Sequence, residues 1–170
     1  MKYFLIGLPG SGKTTLGRKL SAALKIPFVD LDHEIEKRET ISTQLIFKKF
    51  GEQYFREVES AVLKTWCNRT GSFVLATGGG TPCFFDNLEV INQAGKSIFI
   101  DVSASEIAKR IMKSDKSERP LFANVEKDAM KDRIEFMRSQ RLPFYKQANV
   151  TVQGDEINVE HIMKLLEGKA

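Results

Sequence analysis

A glycine-rich segment near the start of the chain restricts the fold more than any other feature. Residues 7–14, GLPGSGKT, match the pattern G-x-x-x-x-G-K-S/T at every fixed position. The apolar run at residues 3–6 predicts a buried strand before it, and Leu16, Leu20 and Leu24 recur at helical spacing after it. A strand, a glycine-rich turn and a helix in this order form a phosphate-binding loop, so the sequence predicts an α/β protein that binds a nucleotide.

The residue types of this loop suit phosphate chemistry. Glycines let backbone N–H groups close around phosphate oxygens without a Cβ in the way. Lys13 can reach the β and γ phosphates, and the hydroxyl of Thr14 can ligate Mg²⁺. Motors, switch GTPases and small kinases share such a loop. The chain has no N-K-x-D motif for guanine and little room for the further domains of a motor, so small-molecule kinases are the leading class.

Strand and helix patterns alternate along the rest of the chain. We predict five strands, at residues 3–6, 26–30, 73–76, 97–101 and 149–152. After the first helix, further helices are predicted at residues 32–37, 42–50, 51–70, 88–93, 104–112, 126–140 and 159–167. This alternation is typical of a three-layer α/β fold with helices on both faces of a parallel sheet. The polar, aperiodic segment 114–124 predicts a mobile lid, and no linker divides residues 1–170, so we expect one domain.

The composition excludes several classes of protein. Of the 170 residues, 42% are hydrophobic and 28% charged, which is typical of a globular domain and not of a disordered chain. Two cysteines and two histidines are too few for a disulfide framework and argue against a structural zinc site. The formal net charge is +4, but the basic residues are spread out, so we predict no nucleic-acid partner. The apolar runs are far shorter than the roughly 20 residues that span a bilayer, so we expect a cytoplasmic protein without membrane contact. No exposed apolar stripe is evident, so we expect a monomer.

Two aspartates at the end of the second predicted strand are candidates for the chemistry of phosphoryl transfer. In an extended segment, Asp30 and Asp32 would project to the same side, beyond the carboxyl end of the strand where ligands of parallel sheets bind. One could hold Mg²⁺ through water while the other faces the hydroxyl of an acceptor. The alternative is that one of them, for example Asp32, only caps the following helix.

Arginines and glycines supply the remaining candidates. Arg56 has Glu52 and Glu59 within one helical turn, which could be no more than a surface ion pair. The three consecutive glycines at residues 78–80 end the third strand and indicate that the backbone approaches another group closely.

Two further arginines and a cysteine have simple alternative interpretations. Arg119 in the expected lid could cover the phosphates of ATP, or could be a solvated loop charge. Arg141 closes the helix predicted at residues 126–140, where a cation also interacts well with the helix dipole. Cys83 follows the glycines closely, and an ordinary packed thiol explains it as well as a reactive one does.

Taken together, these motifs resemble those of the shikimate kinase family. The stretches that carry the resemblance are GLPGSGKTT, VDLD, GEQYFREVE, LATGGG, ERPL and RLPFY, in the family's order and at similar spacings over residues 3–150. Many proteins share the phosphate loop, whereas the combination of D-x-D, F-R-x-x-E and G-G-G is much more specific. The resemblance implies a P-loop kinase fold, ATP and Mg²⁺ as cofactors, and transfer of the γ-phosphoryl group to the 3-hydroxyl of shikimate, in aromatic amino acid biosynthesis.

The resemblance also implies a role for each candidate residue. Residues implied to bind ATP are Gly10, Ser11, Gly12, Lys13, Thr14, Thr15, Arg110 and Arg119. Residues implied to bind shikimate are Asp32, Arg56, Gly78, Gly79, Gly80 and Arg141. Thr14 and, through water, Asp30 would hold Mg²⁺, and Lys13, Asp32 and Arg119 would be the catalytic residues. Because residues 153–158 contain no basic side chain, Arg110 is the better candidate for stacking on adenine.

The residues alone leave two alternatives open. Another small kinase of the same architecture could act on gluconate or on a nucleoside monophosphate, although a nucleotide acceptor would need room for a base and a clamp for its phosphate. From a different class, an ATP-binding module without turnover would need the phosphate loop but no acceptor site.

Overall fold

Five short strands of mostly buried side chains form one parallel sheet within the part of the chain that the computed structural model describes, residues 1–113, 127–154 and 157–168. Their order in the sheet is β2-β3-β1-β4-β5. The strands are β1 (Lys2–Ile6), β2 (Phe28–Asp30), β3 (Phe73–Ala76), β4 (Lys96–Asp101) and β5 (Val150–Gln153). The helices are α1 (Lys13–Leu24), α2 (Leu31–Glu39), α3 (Thr43–Asn68), α4 (Asn87–Ala94), α5 (Ala104–Lys113), α6 (Lys127–Tyr145) and α7 (Val159–Leu166).

Alternate residues of the central strands pack into two separate cores, one on each face of the sheet. Phe4 of β1 joins the core under α2, α3 and α4, whereas its neighbour Leu5 joins the core under α1, α5, α6 and α7. Both side chains are fully buried. A strand that is apolar on both faces is typical of a parallel sheet covered by helices on both sides. The predicted three-layer α/β fold is therefore confirmed.

The predicted strands are all present, with bounds that differ by no more than two residues. The predicted break in the long helical segment is also present, because Gly51 in α3 has φ 81° and ψ 174° and interrupts the helix there. Most helix bounds differ from the predicted ones by one or two residues: α2, for example, begins at Leu31. The larger difference is in α6, which continues five residues beyond residue 140. The predicted lid at residues 114–124, with Arg119, lies outside the described residues.

A proline lies inside α6 without ending it. Pro143 lies inside the helix, and the backbone N–H of Lys146 still donates to the carbonyl of Leu142. Tyr145, fully buried, fixes the last turn against the core. Packing of this aromatic side chain outweighs the hydrogen bond that the proline removes. No helix of the described residues is long and apolar enough to cross a membrane.

The register of the sheet brings three functional segments to one edge. Leu5 of β1 and Asp30 of β2 both pair with Ala76 of β3, so the carboxyl ends of these strands lie side by side. The phosphate loop, the start of α2 and the glycine turn at residues 78–80 follow directly from those ends. Ligands of parallel sheets bind at this edge.

Candidate active site

The phosphate loop connects β1 to the first turn of α1 and depends on left-handed glycines. Gly10 and Gly12 have φ of 84° and 95°, which only glycine adopts without strain. At Gly7, φ is 146° and a Cβ would lie 2.8 Å from the carbonyl oxygen of Ile100. The loop therefore requires glycine for its curvature and for its contact with β4.

Lys13 lies back against the loop in this structure. Its ammonium donates hydrogen bonds to the carbonyls of Gly7 (2.9 Å) and Leu8 (2.8 Å), and the residue is only 8% exposed. The buried hydroxyl oxygen of Ser11 has no hydrogen-bond partner within the described residues. A buried polar atom of this kind is uncommon and is suited to a ligand. The loop thus presents a cation and an unsatisfied polar group at the amino end of α1.

Asp30 and Asp32 have different roles from those that an extended D-x-D segment predicts. Asp30 is the N-cap of α2, where its Oδ1 accepts the backbone N–H of Asp32 at 3.2 Å. Its Oδ2 accepts the hydroxyl of Thr14 at 3.0 Å. Asp32 lies in the first turn of α2, because the buried Leu31 begins that helix. The capping interpretation is therefore right for Asp30 and wrong for Asp32.

Asp32 has an unusual electrostatic environment. Its side chain is accessible within a concave cleft, whose walls keep much of the surrounding water away from the carboxylate. This desolvation, followed by the negative charges of Asp30 and Glu59, raises the pKa of Asp32 to about 6, and Lys13 opposes the shift. A carboxylate with this pKa is mostly ionised at neutral pH but can accept a proton more readily than an ordinary aspartate.

Arg56 is buried, so the surface-pair alternative is wrong. It is 8% exposed, and its Nη1 donates to Glu59 Oε2 at 2.8 Å. Glu59 is itself fully buried and accepts the hydroxyl of Thr81 at 2.6 Å through Oε1. The exposed Glu52 accepts from Nη2 and Nε of Arg56 at 3.2 and 3.3 Å. A buried guanidinium that two carboxylates hold is confined to one place, unlike an exposed ion pair.

The glycine turn at residues 78–80 lies against both candidate arginines. A Cβ at Gly80 would lie 2.6 Å from Arg56 Nη2, and a Cβ at Gly79 would lie 2.9 Å from Arg141 Nη1 and 2.6 Å from Pro9 Cδ. At Gly78, a Cβ would lie 3.0 Å from Glu59 Oε1. Gly79 and Gly80 are needed for space, because a side chain at either would collide with the groups around the turn, and at Gly78 a side chain would make tight contacts.

Arg141 joins the site from α6, more than eighty residues away in sequence from Arg56. Its Nη1 is buried and has no hydrogen-bond partner among the described residues. Since α6 continues to Tyr145, Arg141 does not close the helix, and the helix-dipole interpretation of this residue is wrong. A buried guanidinium nitrogen without an acceptor is suited to an anionic ligand.

Tyr145 is a site residue that the sequence reasoning did not identify. Its buried hydroxyl donates to the carbonyl of Gly79 and thereby fixes the turn from behind. The RLPFY stretch contained it, but no local signal says that its hydroxyl reaches residue 79. Glu59 was noted only as an ion-pair partner, although its burial makes it the anchor of Arg56. Burial raises the pKa of the nearby Cys83 thiol, which favours the packed interpretation over the reactive one.

These groups surround one cavity of about 770 Å³ at the carboxyl edge of the sheet. The predicted site residues that line it are Gly10, Lys13, Thr14, Asp30, Asp32, Arg56, Gly78, Gly79, Gly80 and Arg141. The other lining residues are Pro9, Thr43, Gln44, Phe47, Glu52, Phe55, Glu59 and Thr77. The predicted residues that the structure places outside this lining are Ser11, Gly12, Thr15 and Arg110.

Arg110 lies beside the phosphate loop. It donates to the carbonyl of Ser11 at 3.2 Å and to Glu106 at 2.9 Å. Its guanidinium is also 3.5 Å from the position that a Cβ would take at Gly12. The side chain is therefore placed next to the nucleotide loop and away from the cleft of Asp32.

Comparisons with known proteins identify the family of the chain. A family model described as shikimate kinase matches residues 9–167. Shikimate kinase of Bacteroides fragilis is 38% identical over 98% of this chain and 96% of its own length. The enzyme of Aquifex aeolicus is 37% identical over 100% of this chain and 98% of its own length.

Solved structures give the same result. The crystal structure of shikimate kinase from Bacteroides thetaiotaomicron has a TM-score of 0.92 at 36% identity and covers 98% of both chains. Shikimate kinase from Acinetobacter baumannii, solved in complex with shikimate, has a TM-score of 0.88 at 31% identity over 98% of this chain and 93% of that one. Because the family model matches most of the chain and these relatives are more than 30% identical over nearly its whole length, the chain belongs to the shikimate kinase family.

Proposed function

We propose that the cleft between the phosphate loop and the glycine turn is where the chain transfers the γ-phosphoryl group of ATP to the 3-hydroxyl of shikimate. The reaction itself follows from membership of the family and is a step in aromatic amino acid biosynthesis. Membership of the family favours this reaction over that of a gluconate or nucleotide kinase and over an ATP-binding module without turnover. The proposal concerns which residues of this chain perform it.

One observation carries the proposed acceptor site: the buried guanidinium of Arg56 and the partly buried guanidinium of Arg141 lie on adjacent glycines of one turn. Arg56 lies against Gly80, and Arg141 lies against Gly79 with an unsatisfied Nη1. Shikimate has one carboxylate, and a planar guanidinium binds a carboxylate through paired N–H donors. We assign binding of the shikimate carboxylate to these two arginines. The backbone of the glycine turn would lie next to the bound carboxylate.

Asp32 is the group that we assign to the hydroxyls of shikimate. The carboxylate lies in the same cleft as Arg56 and close to Gly78, with its Oδ1 3.3 Å from a Cβ placed there. An ionised carboxylate accepts hydrogen bonds from hydroxyls, and it orients the attacking oxygen. Its raised pKa, about 6, also suits it to accept the proton as the hydroxyl attacks phosphorus.

The phosphate loop is assigned to ATP. Lys13 would exchange the carbonyls of Gly7 and Leu8 for phosphate oxygens, since a phosphate is the stronger partner for an ammonium group. Backbone N–H groups of Gly10, Ser11, Gly12 and Thr15 are assigned to the same phosphates. Arg110 remains the candidate for adenine, and Arg119, which lies outside the described residues, remains the candidate for covering the phosphates.

The chemistry of two oxygen donors fits Mg²⁺. The hydroxyl of Thr14 and the carboxylate of Asp30 lie 3.0 Å apart at the entrance of the phosphate loop. Mg²⁺ is usually held by one or two protein oxygens, with waters and substrate phosphates as its other ligands. Thr14 would bind the ion directly and Asp30 through water. When bound, Mg²⁺ neutralises charge on the phosphates of ATP.

Composition and sequence pattern support the remaining proposals. We propose that residues 1–170 act as one domain and as a monomer in the cytoplasm, without a nucleic-acid partner. Dispersed charges support the lack of a nucleic-acid partner, and the lack of a linker supports one domain. The short apolar runs support the cytoplasmic location, and the lack of an evident exposed apolar stripe in the sequence supports the monomer.

Substitution of the two arginines tests the acceptor site. Arg56→Lys and Arg141→Lys keep the charge but lose the two-pronged fork, so kcat/KM for shikimate should fall roughly 10- to 100-fold. The KM for ATP should change little, because the phosphate loop is untouched. Arg69→Lys is a matched control, since Arg69 packs on Trp66 at the end of α3, outside the cleft lining. Full activity of both cleft variants would overturn the shared carboxylate site.

A further inference from the structure

The guanidinium of Arg56 is contacted by aromatic rings as well as by carboxylates. Its Cζ lies 4.2 Å from the centroid of the Phe84 ring, 5.1 Å from that of Phe55 and 5.8 Å from that of Phe47. Its hydrogen-bonded edges are those facing Glu59 and Glu52. The Phe84 contact is the shortest of the three and has the distance of a guanidinium stacked on an aromatic face.

Phe84 is not among the residues that line the cleft. It follows the short 3₁₀ helix Thr81–Cys83, directly after the glycine turn, and is only partly buried. The contact that links its ring to the cleft is the one with Arg56.

Buried hydrogen bonds hold the segment that carries Phe84. The side-chain amide of Asn87 donates to the carbonyl of Thr81 at 2.9 Å, and its Oδ1 accepts the hydroxyl of Ser60 at 2.7 Å. Thr81 in turn donates to Glu59, the carboxylate that anchors Arg56. Asn87, Thr81 and Glu59 are all fully buried. The ring and the guanidinium are thus fixed to the same rigid group of elements.

We infer that Phe84 is a positioning residue that sets the plane of the Arg56 guanidinium for the carboxylate of the acceptor. Glu59 and Glu52 accept donors on the two sides of the guanidinium but restrain its plane weakly, since Glu52 is exposed and uses a single oxygen. An aromatic face restrains that plane and supplies attraction without taking an N–H donor. Donors that neither glutamate uses then stay available to a ligand. This inference rests on the proposed role of Arg56.

Three variants separate this role from general packing. Phe84→Leu removes the aromatic face, so the KM for shikimate should rise about three- to tenfold while the KM for ATP changes less than twofold. Phe84→Tyr keeps the face and should restore a KM near that of the wild-type chain. Phe85→Leu is the matched control, because Phe85 is the next residue and is 63% exposed. A melting temperature within a few degrees of wild type would exclude loss of folding as the cause.

A double-mutant cycle separates failure of this inference from failure of the proposed function. In a chain carrying Arg56→Met, which lacks the guanidinium, Phe84→Leu should no longer change kcat/KM for shikimate. Suppose that Arg56→Met alone lowers kcat/KM for shikimate. If Phe84→Leu then lowers kcat/KM equally in the wild-type and Arg56→Met chains, or in neither, the role of Phe84 is wrong and the acceptor site still stands. If Arg56→Met alone left kcat/KM unchanged, both the proposed site and the role of Phe84 would be wrong.

Discussion

Replacing Asp32 by asparagine should make the free protein more stable and the enzyme inactive. The carboxylate has a pKa of about 6, raised from 3.8 chiefly by desolvation and also by Asp30 and Glu59. A raised pKa means that the ionised form is less favourable in the folded than in the unfolded chain. The contribution of this carboxyl group to the free energy of unfolding is therefore fully present below pH 3.8, where it is protonated, and is lost as the pH rises through about 6. Asparagine has nearly the same shape and carries no charge.

The magnitude follows from the size of the shift. Two pKa units correspond to an upper limit of about 3 kcal/mol. Because the side chain is accessible to solvent, and because the amino end of α2 favours a negative charge, we expect about 1 kcal/mol at pH 8. For a chain of this size, that corresponds to a rise in Tm of about 3 °C. Near pH 4.5 the gain should be much smaller, since the wild-type carboxyl is then mostly protonated.

Thermal denaturation at both pH values, without ligands, tests the stability effect. Asp132→Asn, which changes an exposed carboxylate on α6, is the control. An unchanged or lower Tm of Asp32→Asn at pH 8 would refute the electrostatic argument, and so would an equal gain at both pH values. In parallel, kcat should fall by roughly 100-fold or more. For the wild-type enzyme, kcat/KM for shikimate should decline as the pH drops below about 6, where the carboxylate takes up a proton.

Two further predictions concern the loop and the turn. Lys13→Ala removes the cation that lies on the carbonyls of Gly7 and Leu8, so kcat should fall by two or more orders of magnitude. The circular dichroism spectrum should stay like that of the wild type. Near-normal turnover would reject the role of Lys13. Tyr145→Phe leaves the carbonyl of Gly79 without its buried donor. The free energy of unfolding, measured in urea, should fall by about 1–2 kcal/mol, and kcat/KM for shikimate should fall several-fold. No change in either quantity would show that Tyr145 does not hold the turn.

Features encoded by neighbouring residues could be predicted from the sequence. The phosphate loop lies within eight consecutive residues, and its strand and helix flank it directly. Gly51 was recognised as a break because glycine interrupts an otherwise apolar helical pattern. The three glycines of the turn were also recognised, because a run of glycines is costly unless the backbone approaches something closely.

Features that depend on tertiary contacts could not be predicted. Arg56 carries two glutamates within one helical turn whether it is exposed or buried, and its burial depends on a turn that lies more than twenty residues away. The first residue of α2 depends on the burial of Leu31. Because the helix begins there, Asp30 caps it and Asp32 lies in its first turn, instead of both lying in an extended segment. The helix predicted to end at residue 140 continues to Tyr145, whose side chain packs in the core, so Arg141 does not lie at its end.

A coupled ADP-release assay tests the central claim most directly. The purified chain is supplied with ATP and Mg²⁺ and, in separate reactions, with shikimate, gluconate or CMP. We predict rapid release of ADP with shikimate and only background release with the other two acceptors, because the cleft offers Arg56 and Arg141 to a single carboxylate next to Asp32. Faster turnover with gluconate or CMP, or no release above background with shikimate, would contradict this account of the site.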